Sequence, residues 1–108
     1  MTTTIANWFL VDLVNEIHHK YPRYLRSILW GDIVEDETGR FSSGDFVCTN
    51  FIATRDANTF ITRSGNTYIC LGQERHVMVN IFDLPLLRHG ISPIELENIK
   101  NSISLNSH

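Results

Sequence analysis

A chain of 108 residues that is 43% hydrophobic and 19% charged has room for one real core and is too apolar to stay disordered. Its net charge of −3 argues against broad nucleic-acid binding, and the apolar run from Ile5 to Val11 is too short to span a membrane. That run follows no basic residue and stops at Asp12, so it does not read as a secretion signal either. A single domain over residues 1–108, cytoplasmic by elimination and without a cofactor, is what remains.

Thr2-Thr3-Thr4 offers capping hydroxyls, and Leu10, Leu13, Val14, Ile17 and Tyr21 follow at helical spacing on one stripe. The spacing predicts an N-terminal helix that ends before Pro22, because the residue preceding a proline is pushed out of the α region. Trp8, on the polar side of that helix, would mark a contact surface or pack against a neighbouring loop.

From His18 to Arg26 runs the one basic cluster, with aromatics interleaved. Lys20, Arg23 and Arg26 would carry a phosphate contact if nucleic acid bound here; the plainer reading is a solvated helix end whose cations complement the helix dipole. His18 and His19 are adjacent, not four apart, and do not form a metal pair. Ser27 to Val34 reads as a strand with Gly31 at a bulge or bend, and the acidic turn Glu35 to Gly39 lacks the ligand pattern of a calcium loop.

The central stretch, Gly44 to Ile81, holds four runs rich in Val, Ile, Thr, Phe and Tyr: Asp45 to Ala53, Thr59 to Thr62, Thr67 to Leu71, and His76 to Asn80. Turn residues separate them, and Gly65 supplies the positive φ that a tight hairpin needs. An antiparallel meander is the economical arrangement. With Arg55 opposite Asn58 and Thr62 opposite Thr67, one face collects Val47, Phe51, Ala53, Phe60, Ile69 and Leu71 as core. The other collects Phe46, Cys48, Asn50, Ile52, Ile61, Arg63, Tyr68 and Cys70. It is too apolar to face water yet carries Asn50, Arg63 and Tyr68, so a helix, a second subunit or a ligand should cover it. Phe46, Cys48, Asn50, Ile52, Ile61, Arg63 and Tyr68 are therefore the candidate binding surface.

Asp83-Leu84-Pro85 starts a short helix that Gly90 ends. Ser92-Pro93-Ile94-Glu95 is a capping box, opening a last helix with Leu96, Ile99 and Ile103 on one face. Catalytic motifs do not emerge: there is no phosphate loop, no nucleophile elbow and no pair of metal-ligating histidines. Cys70 with His76 could form a thiol and base, but strand cysteines among apolar neighbours have raised pKa values. Cys48 and Cys70 read as buried reduced thiols, without a disulfide or metal role.

The segment Trp30-Gly31-Asp32 through Gly44-Asp45-Phe46-Val47-Cys48-Thr49, with Phe60-Ile61-Thr62-Arg63 and Tyr68-Ile69-Cys70-Leu71-Gly72, resembles small proteins of bacterial mobile elements, such as integron gene-cassette and prophage products. The resemblance implies a bacterial accessory protein and transfers no functional residue. The expectation is thus an α+β domain, with an antiparallel sheet of four or five strands, an N-terminal helix and two C-terminal helices. A small closed barrel is the alternative arrangement. Its function would be non-enzymatic binding, as a homodimer or with a small-molecule ligand in a pocket on the second sheet face.

Overall fold

The computed structural model describes residues 1–15 and 21–106, with residues 103–106 described by backbone alone. The N-terminal segment is a strand, which corrects the expected helix. Strand β1 (Thr2–Asn15) runs antiparallel to β2 (Arg23–Asp36). Thr2, Thr3, Thr4, Ile5, Val11 and Val14 are β-branched, and Trp8 and Phe9 are aromatic, the residue types that suit a pleated surface. Because β1 is buried on both faces, its apolar residues do not alternate cleanly, and that is why a helical stripe could be traced through them. Ile17, His18, His19 and Lys20 lie outside the described residues.

The remaining strands are β3 (Phe46–Cys48), β4 (Ile52–Asp56), β5 (Thr59–Thr62), β6 (Thr67–Cys70) and β7 (Arg75–Asn80). They form one seven-stranded sheet in the order β3-β2-β1-β6-β5-β4, with β7 also on β1. The sheet is mixed, not antiparallel: β6 runs parallel to β1 over Thr2 to Ile5, and β7 runs parallel to it over Phe9 to Val14. The long run Asp45 to Ala53 divides into two strands. Thr49 bonds Leu29 in both directions, and Asn50 Oδ1 accepts from the Phe51 N–H, so the chain leaves the β2 edge there. Residues 49–51 can reach only about 13 Å, yet they join the first and last strands of the sheet order. The sheet must therefore curl until its ends approach, as a small barrel does.

Ile5, Trp8, Leu29, Ile33, Val47, Phe60, Tyr68 and Cys70 fill the inside of the curl. On the outer face of the β1–β2 hairpin a second core gathers Phe9, Val11, Leu13, Ile28, Trp30, Val79, Leu84, Leu87 and Leu96. A bulge moves β1 between the two. Between the pairs Ala6↔Asp32 and Phe9↔Trp30, Asn7 and Trp8 face Gly31 alone. Asn7 takes φ 48 there, and Trp8 tucks over Gly31 so closely that a Cβ on that glycine would lie 3.0 Å from Trp8 Cβ and 3.2 Å from the Ala6 carbonyl oxygen. Trp8 is 2% exposed and packs edge-on to Phe60, with no partner for its indole N–H among the described residues. On the outer face, Trp30 donates its N–H to the Leu87 carbonyl at 3.0 Å and stacks on Phe46.

A 3₁₀ turn (Ile81–Asp83) leads into α1 (Leu84–Arg88), and α2 follows (Pro93–Asn106). The capping box is present in both directions, with Glu95 N–H donating to Ser92 Oγ at 3.1 Å and Ser92 N–H to Glu95 Oε1 at 3.2 Å. Asp83 stands at the N-cap of α1 without making a capping bond. Among the described residues no helix is long and apolar enough to cross a membrane.

Candidate functional site

The seven residues of the expected binding surface do not share a face. The β5–β6 pairing is Thr59↔Ile69, Phe60↔Tyr68 and Ile61↔Thr67, one residue away from the register that sets Thr62 against Thr67. A slip of one residue turns every side chain of a strand over. Tyr68 and Cys70 thus join Phe60 inside the curl, and Ile69 and Leu71 turn outward. Tyr68 is 2% exposed, whereas Ile61 and Arg63 are on the surface. Ile52 packs at the margin of the inner core, and Asn50 is exposed. Phe46 and Cys48 border a shallow cleft of about 260 Å³ with Phe41, Val47 and Arg88.

Of the basic cluster, Lys20 lies outside the described residues. Arg23 and Arg26 stand opposite Asn15 and Leu13 on one face of the hairpin, while Tyr24 stands opposite Val14 on the other. The cations and the aromatic ring therefore do not combine into a base-stacking surface. Cys70 and His76 are also apart. They pair with Ile5 and Leu10 of β1, positions about 15 Å from each other along a strand. Burial pushes the Cys48 thiol up to about 11 and the Cys70 thiol up to about 12, so both are protonated at neutral pH.

A different place in the fold has the geometry of a site. Among the described residues, strand β7 is bonded within the sheet to β1 alone, and its other edge is open. A groove of about 580 Å³ runs along that edge, lined by His76 to Asn80 on one side and by Pro93, Leu96, Glu97, Lys100 and Asn101 on the other. The second set falls at helical spacing, so it is a single stripe of α2. Only Pro93 and Leu96 of the described α2 side chains are buried; Ile99 is 42% exposed. The capping box and Leu96 thus anchor the first turn, and the helix then runs beside β7 without closing on it.

Charges at the groove are mostly paired. Lys100 Nζ lies 2.5 Å from Asp83 Oδ2, a buried oxygen for which it is the counter-ion. Asp12 accepts from Ser27 Oγ at 2.6 Å and contacts His76 Nε2 at 2.6 Å, while Tyr24 and Ser27 hydroxyls are 2.7 Å apart. Since Ser27 gives its proton to Asp12, Tyr24 donates to Ser27. His76 must likewise hold a proton on Nε2 to meet the carboxylate. The order is hydroxyl, carboxylate, imidazole. A nucleophilic triad needs the imidazole between the other two, so this chain does not activate Ser27. No cluster of three or more metal-ligating side chains occurs among the described residues.

Sequence reasoning found the strand at His76 to Asn80 but not its open edge, because pairing partners follow from topology. The i, i+3, i+4 recurrence of Pro93, Leu96, Glu97, Lys100 and Asn101 was the available signal for the opposite wall. Comparison with protein-family models, with curated proteins and with solved structures finds no match to this chain.

Proposed function

We propose that this protein is a non-enzymatic cytoplasmic binding module that holds an extended segment of another polypeptide, added as a strand to the outer edge of β7. One observation carries the reading: among the described residues, β7 is the sheet's only long edge that has no bulge and that keeps its charged residue, Arg75, at one end and away from its centre. Natural edges are blunted by brevity, bulges and charge. The β2 edge beyond β3 carries Arg23, Arg26 and a bulge at Leu25; β3 has three residues; and β4 has a bulge near Ile52, with Arg55 and Asp56. By contrast β7 keeps six residues in unbroken register and presents Met78, 63% exposed, at its centre.

Adding a strand to such an edge uses main-chain hydrogen bonds for affinity and alternate side chains for selectivity. The volume lies within the roughly 300–1,000 Å³ typical of ligand sites. A second copy of the chain is the rival occupant. It fits less well, because its β7 would bring its own α2 to the same flank. Two free thiols fit a reducing compartment.

The test is selection of binders from a displayed library of random decapeptides, followed by amide-shift mapping and repetition with Met78→Lys, which places a charge on the edge without entering either core. Selected peptides should perturb the β7 and α2 amides and lose binding to the variant. Binders that map elsewhere, or a complete lack of binders, overturn the reading. So does light scattering that finds a stable dimer dispersed by Met78→Lys.

A further inference from the structure

We infer that the groove selects a segment carrying lysine or arginine beside its apolar residues, an inference that rests on the strand-addition reading above. The free polar groups of the groove decide it. Asp83 and Lys100 neutralise each other, and Asp12 is engaged by Ser27 and His76. Glu97 lines the same groove and has no ion-pair partner among the described residues. With Lys100 already committed, the groove is left with one uncompensated carboxylate, that of Glu97. That carboxylate asks for a hydrogen-bond donor, and most strongly for a cation. An acidic segment would meet Glu97 with nothing to offset it.

The apolar part of the preference follows from the strand. Val77 and Val79 turn toward the outer core and Leu96, whereas Met78 turns the other way, so an added strand meets an apolar surface on each face near its centre. A cation on the α2 side of that strand can then reach Glu97. The pair is at the surface, where such contacts contribute modestly, so the preference for Lys or Arg over Gln should be about 2- to 5-fold.

The library selection supplies the test, run in parallel on the wild type and on Glu97→Lys. Position 97 is exposed, and unchanged far-UV circular dichroism would confirm that the variant folds. Among wild-type binders that map to β7, Lys and Arg should be enriched over Asp and Glu, and Glu97→Lys should invert that enrichment. Binders at β7 with no such bias, or a bias that Glu97→Lys leaves intact, overturn the charge selectivity while the strand-addition reading stands. A failure to recover any binder at β7 removes both. Raising the salt concentration should shrink the wild-type bias, as expected of a solvent-exposed ion pair.

Discussion

The two faces of the β1–β2 hairpin are closed in different ways. The inner face is covered by the rest of the curled sheet. Phe60, Tyr68 and Cys70 from β5 and β6 lie over Ile5, Trp8, Leu29 and Ile33, and Thr62 is buried at the same wall. The outer face is covered by short helices and β7: Leu84, Leu87 and Leu96 close over Phe9, Val11, Leu13, Ile28 and Trp30. The curled sheet covers that face with continuous strands, although β3 and β4 at its two ends are not bonded to each other. A helix covers only its own footprint, so beyond Leu96 the outer side opens into the groove between α2 and β7. The lesson is that the two halves of the molecule share one hairpin and differ only in what lies over it, curled sheet on one side and short helices that leave a groove on the other.

The sharpest way to break this comparison is Trp30→Ala on the outer face. It removes the ring that touches Phe9 and Phe46 and the hydrogen bond to Leu87, and should cost about 3–5 kcal/mol in a denaturant titration. If the helical cover were a loose appendage, the loss would be far smaller. On the inner face, Gly31→Ala should cost about 1–3 kcal/mol, since the new methyl meets Trp8 Cβ and main chain that cannot move aside.

Ser92→Ala separates the two halves more gently. Loss of the capping box should destabilise α2 by about 1 kcal/mol and speed amide exchange in α2, while β5 and β6 keep their protection. A gain is expected at the β4–β5 turn, where Ala57 has φ 53: Ala57→Gly should raise stability by about 0.5–1 kcal/mol.

The last effect is read along the pH axis. Asp36 loses some water, which raises its pKa, but hydrogen bonds from the Thr38 and Thr3 hydroxyls and the Phe41 and Thr38 N–H groups outweigh this and hold it well below the usual carboxylate range. A depressed folded pKa contributes stability that is present above the unfolded value, about 3.9, and lost as pH falls through the folded one. Asp36→Asn should therefore flatten part of the acid limb of a stability–pH curve. Glu37, lowered by its bonds from the Thr2 N–H and hydroxyl, would keep the rest.

Local chemistry was legible from the residues alone. Gly65 takes φ 86 in the β5–β6 turn, Ser92 and Glu95 cap α2, and the strands at Thr59, Thr67 and His76 lie where β-branched and aromatic residues cluster. Each of these depends on neighbours within a few positions, so the chain determines them by itself. Three other features needed the tertiary structure. The first is the N-terminal strand, because a segment buried on both faces shows no clean alternation and Leu10, Leu13 and Val14 fit a helix as well. The second is the β5–β6 register, because four turn residues admit two pairings, and the packing of Phe60 against Trp8 within a closed core selects the one that also buries Tyr68 and Cys70. The open edge of β7 is the third. An edge is defined by the absence of a neighbour, and only the arrangement of the whole sheet decides which strand is left without one.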